Sequence, residues 1–151
     1  MEGKILIQED DFDKARKLIH ENSGKRIIFS SEDEETSRKV LEKEDIETLL
    51  LNQSGRKDYQ KQRNSGFNHV IAKLAKKKGI VIGINLDELI KSSEKEKAAI
   101  IARVRQNIRI CNKNKLKMKF IYKNQKRNLH DLIALGLVLG MPTDMASNLT
   151  K

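Results

Sequence analysis

The sequence contains one cysteine, Cys111, and only 4% aromatic residues. A single cysteine excludes an internal disulfide and a multi-cysteine zinc site. It suits a reducing, intracellular setting, and the cytoplasm is the expected compartment. Aromatics are thin in the central region, where Tyr59, Phe67, Phe120 and Tyr122 stand alone. That argues against a stacking platform for single-stranded nucleic acid. No apolar run approaches the roughly 20 residues of a membrane span, so no membrane partner is expected. The N-terminal stretch MEGKILIQEDDFDK is acidic and has no signal-peptide apolar segment.

Catalytic and metal motifs are missing as well. His20, His69 and His130 are far apart in sequence, with no His-x-His or His-x-x-x-His spacing. No metal bound by the protein is therefore expected. Ser65 sits in RNSG, which is not the Gly-x-Ser-x-Gly turn of a serine nucleophile. Cys111 falls on an apolar helical stripe and reads as a packed side chain. Gly79 and Gly83 bracket a strand-like run instead of opening a helix, so a dinucleotide-binding loop fails its context test.

What the chain does have is segregated charge. Its net charge is +10 over 151 residues. Residues 1–53 carry 9 Lys+Arg against 14 Asp+Glu, whereas residues 54–127 carry 21 against 5. An ordinary solvated surface intersperses the signs. One isolated lysine carries no message, but a whole region without compensating acids favours a polyanionic partner. The cations recur as Lys76, Lys77 and Lys78, as Arg103, Arg105, Arg109 and Lys113, as Lys115, Lys117 and Lys119, and as Lys123, Lys126 and Arg127. Structured RNA, read by shape and backbone, fits this set better than unstacked bases do.

Strand-like and helix-like patterns alternate. Strands are expected at residues 4–8, 25–30, 46–51, 80–84 and 117–122. A first helix places Phe12, Ala15, Leu18 and Ile19 on one face. Ser31 and Glu34 have capping-box spacing for a second helix ending near Lys43. The polar segment NQSGRKDYQKQRNSG reads as a long loop. A third helix opens near Gly66, with an apolar stripe of Phe67, Val70, Ile71 and Leu74 and a stop at Gly79. A short helical turn covers residues 87–91. Ser93 and Glu96 cap the longest helix, residues 94–113, with an apolar seam of Ile101, Val104, Ile108 and Cys111 and the Arg103/Arg105/Arg109/Lys113 series on other faces. Asn128 caps a final apolar helix that ends at Gly140 and Pro142. This order of about five β-then-α units predicts an α/β fold with a parallel sheet and right-handed crossovers. A full eight-fold barrel takes about 250 residues, so an open sheet or an incomplete TIM-like barrel is expected, with strand edges that need cover.

Two motifs carry a family resemblance. The stretch RNSGFNHVIAKLAKKKGIVIGINL holds Gly66, Asn68, His69, Val70, Ala72, Lys73 and Leu74 in the pattern Gly-x-Asn-His-Val-x-Ala-Lys-Leu. RNLHDLIALGLVLGM, residues 127–141, supplies Arg-x-x-x-Asp-Leu-x-x-Leu-Gly and a later Leu-Gly-Met. In these the chain resembles protein component 3 of ribonuclease P, the archaeal relative of the thirty-kilodalton eukaryotic subunit. The resemblance implies a single barrel-like domain, here N-terminally shortened. It implies a non-catalytic subunit that assists a catalytic RNA in removing the 5′ leader of precursor tRNA. Its partners would be the ribonuclease P RNA, precursor tRNA indirectly, and a second small protein subunit, with Mg2+ expected on the RNA. The family's basic positions match at Arg63, Lys73, Lys78, Lys113 and Arg127. With Lys76, Lys77, Arg105, Arg109 and Lys123 from the charge pattern, these are the candidate RNA or partner contacts. Leu129 and His130 depart from the family pattern, as does a shortened loop at residues 122–126. Two other readings stand beside this one: a metal-dependent phosphoesterase on a TIM-like barrel, and a protein-interaction module using an exposed strand edge.

Overall fold

A computed structural model describes residues 3–61, 63–123 and 126–149. Five strands, β1 (Lys4–Gln8), β2 (Arg26–Ser30), β3 (Thr48–Leu51), β4 (Val81–Asn85) and β5 (Met118–Ile121), alternate with helices α1 (Phe12–Glu21), α2 (Glu34–Lys43), α3 (His69–Lys78), α4 (Leu86–Lys91) and α5 (Glu94–Lys113). Two more helices, α6 (Leu129–Val138) and α7 (Thr143–Ser147), follow β5. All strand pairs are parallel and the spatial order is β1-β2-β3-β4-β5. Successive right-handed crossovers that never reverse direction put every helix on the same side of the sheet. That is barrel winding, and it decides between an open sheet and an incomplete barrel in favour of the barrel.

Alternation along the strands divides the core. Ile7, Ile27, Phe29, Leu49, Leu51, Ile82, Ile84, Met118 and Phe120 face outward under the helices in one large apolar cluster. Ile28, Leu50 and Ile121, with Leu6 against them, form a second, inner cluster. Leu6 lies on the first strand and Ile121 on the last, so the sheet rolls until its ends meet through side chains. Gly83 lets the roll tighten. A Cβ there would lie 3.0 Å from Ile121, 3.1 Å from Thr48 and 3.3 Å from Leu50. Gly83→Val is expected to overpack this layer and cost about 1–3 kcal/mol, read as a lower urea midpoint with an unchanged slope.

Below the inner apolar layer lies an ion network. Glu47, just before β3, accepts from Arg26 at 2.5 and 3.0 Å and from Lys119 at 3.3 Å, and stands 3.7 Å from Lys4 Nζ. Three cations thus crowd one carboxylate. Burial and the neighbouring Lys119 push the Lys4 pKa down. Burial would raise the Glu47 carboxyl, but hydrogen bonds from Arg26 and Lys119 outweigh it and hold the pKa below the ordinary value. A carboxyl depressed on folding stabilises the fold above its unfolded pKa and loses that contribution as pH falls through its folded pKa. Glu47→Gln is therefore expected to lower stability at pH 7 and to flatten the acid limb below about pH 4, as followed by circular dichroism against pH.

Several local expectations are corrected. The second helix is capped by Asp33, whose carboxylate accepts from Thr36 N at 3.2 Å, not by Ser31. Ser31 instead donates to Asp10 at 3.0 Å. A carboxylate at a helix N-terminus also meets the favourable end of the dipole, so Asp33 prevails over the hydroxyl two residues upstream. Val70, placed on the buried stripe of α3, is 61% exposed. The small residues Ala72 and Ala75 take its place beside Ile71, which brings the helix close to the sheet. The helix capped by Asn128 stops before Gly140 and Pro142 as expected, but it is not the last, because Pro142 precedes α7, whose Met145 and Ala146 return to the core. The loop expected at residues 122–126 includes positions 124 and 125, which lie outside the described residues.

Candidate nucleic-acid interface

The long connection between β3 and α3 is pinned, not free. Gln53, fully buried, donates through Nε2 to Ser65 O at 2.9 Å and ties the two ends of the loop together. Arg56 Nε donates to Asn52 O at 2.6 Å. Gly66 has φ +72°, a left-handed conformation that favours glycine, and the Arg56 guanidinium lies against its Cα, 2.5 Å from where a Cβ would sit. Arg103, expected on the cationic surface, is instead buried at 5% exposure. It donates to Asp58 Oδ1 at 3.0 Å, Gln53 O at 2.9 Å and Arg56 O at 2.7 Å. Its guanidinium, with further help from the Asn64 N–H, holds the Asp58 carboxyl below the usual carboxylate range. Helical periodicity put Arg103 off the apolar seam. The polar loop that buries it is remote in sequence, so periodicity could not find it.

This loop and α3 then run along the C-terminal half of α5. Gln106 Nε2 donates to Arg63 O at 3.2 Å, the His69 ring meets Asn114 Nδ2 at 3.1 Å, and Lys76 Nζ donates to Lys115 O at 3.0 Å. Asn68 caps α3 by accepting from Ile71 N at 3.0 Å, and Gly79 ends it in the left-handed conformation. Lys76, Lys77 and Lys78 occupy its last turn, where the helix dipole also favours cations. On α5, Ser93 supplies the predicted cap, and Arg105, Arg109 and Lys113 recur at i, i+4 and i+8 along one exposed stripe. Arg105 also donates to Val138 O at 3.1 Å and so closes the end of α6. Lys115 has φ +56° in the turn that leads α5 into β5.

Arg63 in the loop, Lys73, Lys76, Lys77 and Lys78 on α3, and Arg105, Arg109 and Lys113 on α5 are all exposed on these adjoining segments. Among the described residues, none of these eight is within ion-pair distance of a carboxylate. Lys123 and Arg127 are not on these segments. They lie in the connection from β5 to α6, at the other end of β5 from Lys115 and Lys117. Arg127 is half-buried, and its Nε has no hydrogen-bond partner among the described residues. Eight of the ten candidate cations thus lie on the loop, α3 and α5, and two lie elsewhere.

Among the described residues, the chemistry of a metallohydrolase is not assembled. His20 pairs with Glu44 at 2.9 Å at the end of α1, His69 meets Asn114, and His130 stands in the first turn of α6. At the C-terminal strand ends, where barrel enzymes hold their catalytic groups, the inward positions are Gln8, Ser30, Asn52 and Asn85. Those neutral groups cannot supply the anionic ligand set of a phosphoesterase. Among the described residues, no group of three His, Cys, Asp or Glu side chains could hold a metal ion. Cys111 is fully buried, and burial pushes its thiol pKa far up, so it is no nucleophile. No described helix is long and apolar enough to cross a membrane.

A family model described as RNase P subunit p30 matches residues 56–151. Ribonuclease P protein component 3 of Methanococcus vannielii is 27% identical over 111 residues, which is 73% of this chain and 45% of that protein. The chain thus spans about half the length of that curated relative. A chain in a cryo-EM structure of archaeal ribonuclease P with mature tRNA matches with a TM-score of 0.81 at 20% identity, covering 97% of this chain and 63% of that one. At that identity the likeness shows the fold, and it extends through β1 and β2, upstream of the family match.

Proposed function

Because the chain belongs to the RNase P subunit p30 family, we propose that it is a protein subunit of ribonuclease P that assists the catalytic RNA in removing the 5′ leader of precursor tRNA. The observation that carries this reading is the set of eight exposed cations on α3, α5 and the loop before α3, with no paired carboxylate among the described residues. Such a surface neutralises phosphates and gains free energy from counterion release. It contacts the RNA and leaves catalysis to it. Mg2+ belongs to the RNA, a second small protein subunit completes the assembly, and the cytoplasm is where it works. Arg127, with its inward-facing Nε, offers a further donor to RNA or to the protein partner.

Reconstitution of precursor-tRNA cleavage from the RNA and its proteins, with and without this chain, tests the reading. Addition of the chain is expected to raise the rate at low Mg2+ and to lower the Mg2+ needed for half-maximal activity. An RNA whose cleavage and Mg2+ requirement are unchanged would remove the proposal.

A further inference from the structure

The inward strand positions change character at the C-terminal end of the barrel. The inner layer of Leu6, Ile28, Leu50, Gly83 and Ile121 is apolar, and the next inward residues are Gln8, Ser30, Asn52, Asn85 and Lys123. Gln8, Asn52, Asn85 and Lys123 line a cavity of about 280 Å3 whose floor is Leu6, Leu50 and Ile121 and whose side includes Tyr122. Asn85 Nδ2 donates to Asn52 Oδ1 at 2.8 Å, Asn52 Nδ2 donates to Ser30 Oγ at 2.9 Å, and Asn85 Oδ1 accepts from Glu88 N at 3.1 Å. The ladder holds both amides in fixed orientation. Each amide nitrogen carries two hydrogens and each oxygen two lone pairs, so each keeps one donor and one acceptor beyond the ladder.

We infer that this cavity binds the base of an unpaired nucleotide, resting on the RNA-binding reading above. Amides offer the paired donor and acceptor that a base edge presents in return. The apolar floor suits the ring face, and unstacked bases are the part of RNA that proteins read by hydrogen bonding and stacking. Lys91 and Lys123, both exposed at the lining, take the phosphate outside. The volume lies near the lower bound of about 300 Å3 for small-ligand sites, which suits one nucleoside. A metal ion does not fit this set. Both Glu88 oxygens already accept from Gln53 N and Ser54 N, and Asp87 Oδ2 accepts from Lys123 N at 2.9 Å. A phosphate does not fit the interior either, because the floor has no cation and Asp87 and Glu88 stand on the wall.

The test uses the full chain, labelled with 15N, titrated with AMP, GMP, CMP and UMP, and separately with ribose 5-phosphate and inorganic phosphate. Nucleotides are expected to shift the side-chain amide signals of Asn52, Asn85 and Gln8 saturably, and ribose 5-phosphate is not. Asn52→Leu should weaken the nucleotide titration about tenfold or more. Gln8→Ala, which removes an exposed side chain outside the ladder, should weaken it severalfold without changing the fold. A hairpin with one bulged nucleotide, compared with its fully paired counterpart, separates a base in RNA from a free nucleotide, and saturable shifts with either source support base recognition. Equal shifts with ribose 5-phosphate, or shifts confined to the α3 and α5 cations, would overturn the inference. RNA that binds the α3 and α5 cations while the cavity signals stay still would sink this inference alone. Nucleotide shifts that persist when structured RNA fails to bind would sink the RNA-subunit reading and leave the cavity standing.

Discussion

Charge reversal of Lys77, Arg109 and Lys113 to Glu is expected to abolish most of the affinity for structured RNA while leaving the thermal unfolding curve in place. These side chains are exposed, unpaired among the described residues and outside the apolar core. Their substitution therefore has no packing cost to express. Each phosphate left unneutralised should lower the slope of log affinity against log salt by about 0.7–0.9, so the triple variant should show a slope smaller by about 2–3. At low salt the loss in affinity should reach roughly a hundredfold or more. Filter binding or fluorescence anisotropy between about 50 and 200 mM salt reads both quantities. An unchanged slope would move the RNA contact off the α3/α5 surface. The same triple change at Lys14, Lys17 and Arg38, exposed on α1 and α2 where acids are plentiful, should do far less.

The second large effect falls on stability. Arg103→Met should cost about 2–3 kcal/mol, because it leaves the Gln53 and Arg56 carbonyls and the Asp58 carboxylate without their donor while keeping much of the packed stem. The Asp58 side chain is partly exposed and can be rehydrated, which keeps the figure below that of a fully buried ion pair. The damage should be local first. Residues 52–68 lose the anchor that holds them against α5, and limited proteolysis should cut there before the sheet unfolds. Asp58 has a pKa held low by Arg103, so its contribution is present above the unfolded carboxyl pKa and disappears as pH falls through the folded one. The wild-type chain should therefore lose protection of this loop in acid, and Arg103→Met should show that sensitivity already at neutral pH. Resistance of the mutant loop to protease would show that the other ties, Gln53 and Glu88, suffice. RNA affinity in the same variant reports whether Arg63 must be held in place.

Cations of one helix thus meet opposite fates. Arg105, Arg109 and Lys113 are legible as a surface stripe because their spacing is helical and their neighbours are apolar. Arg103 belongs to the same helix and the same charge region, yet it faces a loop about 45 residues earlier in the chain. Local periodicity, which finds the stripe, holds no sign of the distant loop that buries Arg103. The same holds for Glu47, which reads as one more acid in an acidic segment and becomes the carboxylate shared by Lys4, Arg26 and Lys119. The amide ring at the strand ends is equally hidden, because Gln8, Ser30, Asn52 and Asn85 are ordinary polar residues until parallel register sets them side by side.

Alternating periodicities in the sequence were enough to determine the β-then-α order, the parallel sheet, the caps at Ser93 and Asn128, and the segregation of positive charge into the central region, because each depends on residues near one another along the chain. The tertiary structure alone decided which cations remain at the surface, how the first and last strands meet around Leu6 and Ile121, and what lines the end of the barrel. Those outcomes depend on groups tens of residues apart that share a face only after the sheet has rolled, and free energies of burial and hydrogen bonding are set by neighbours in space.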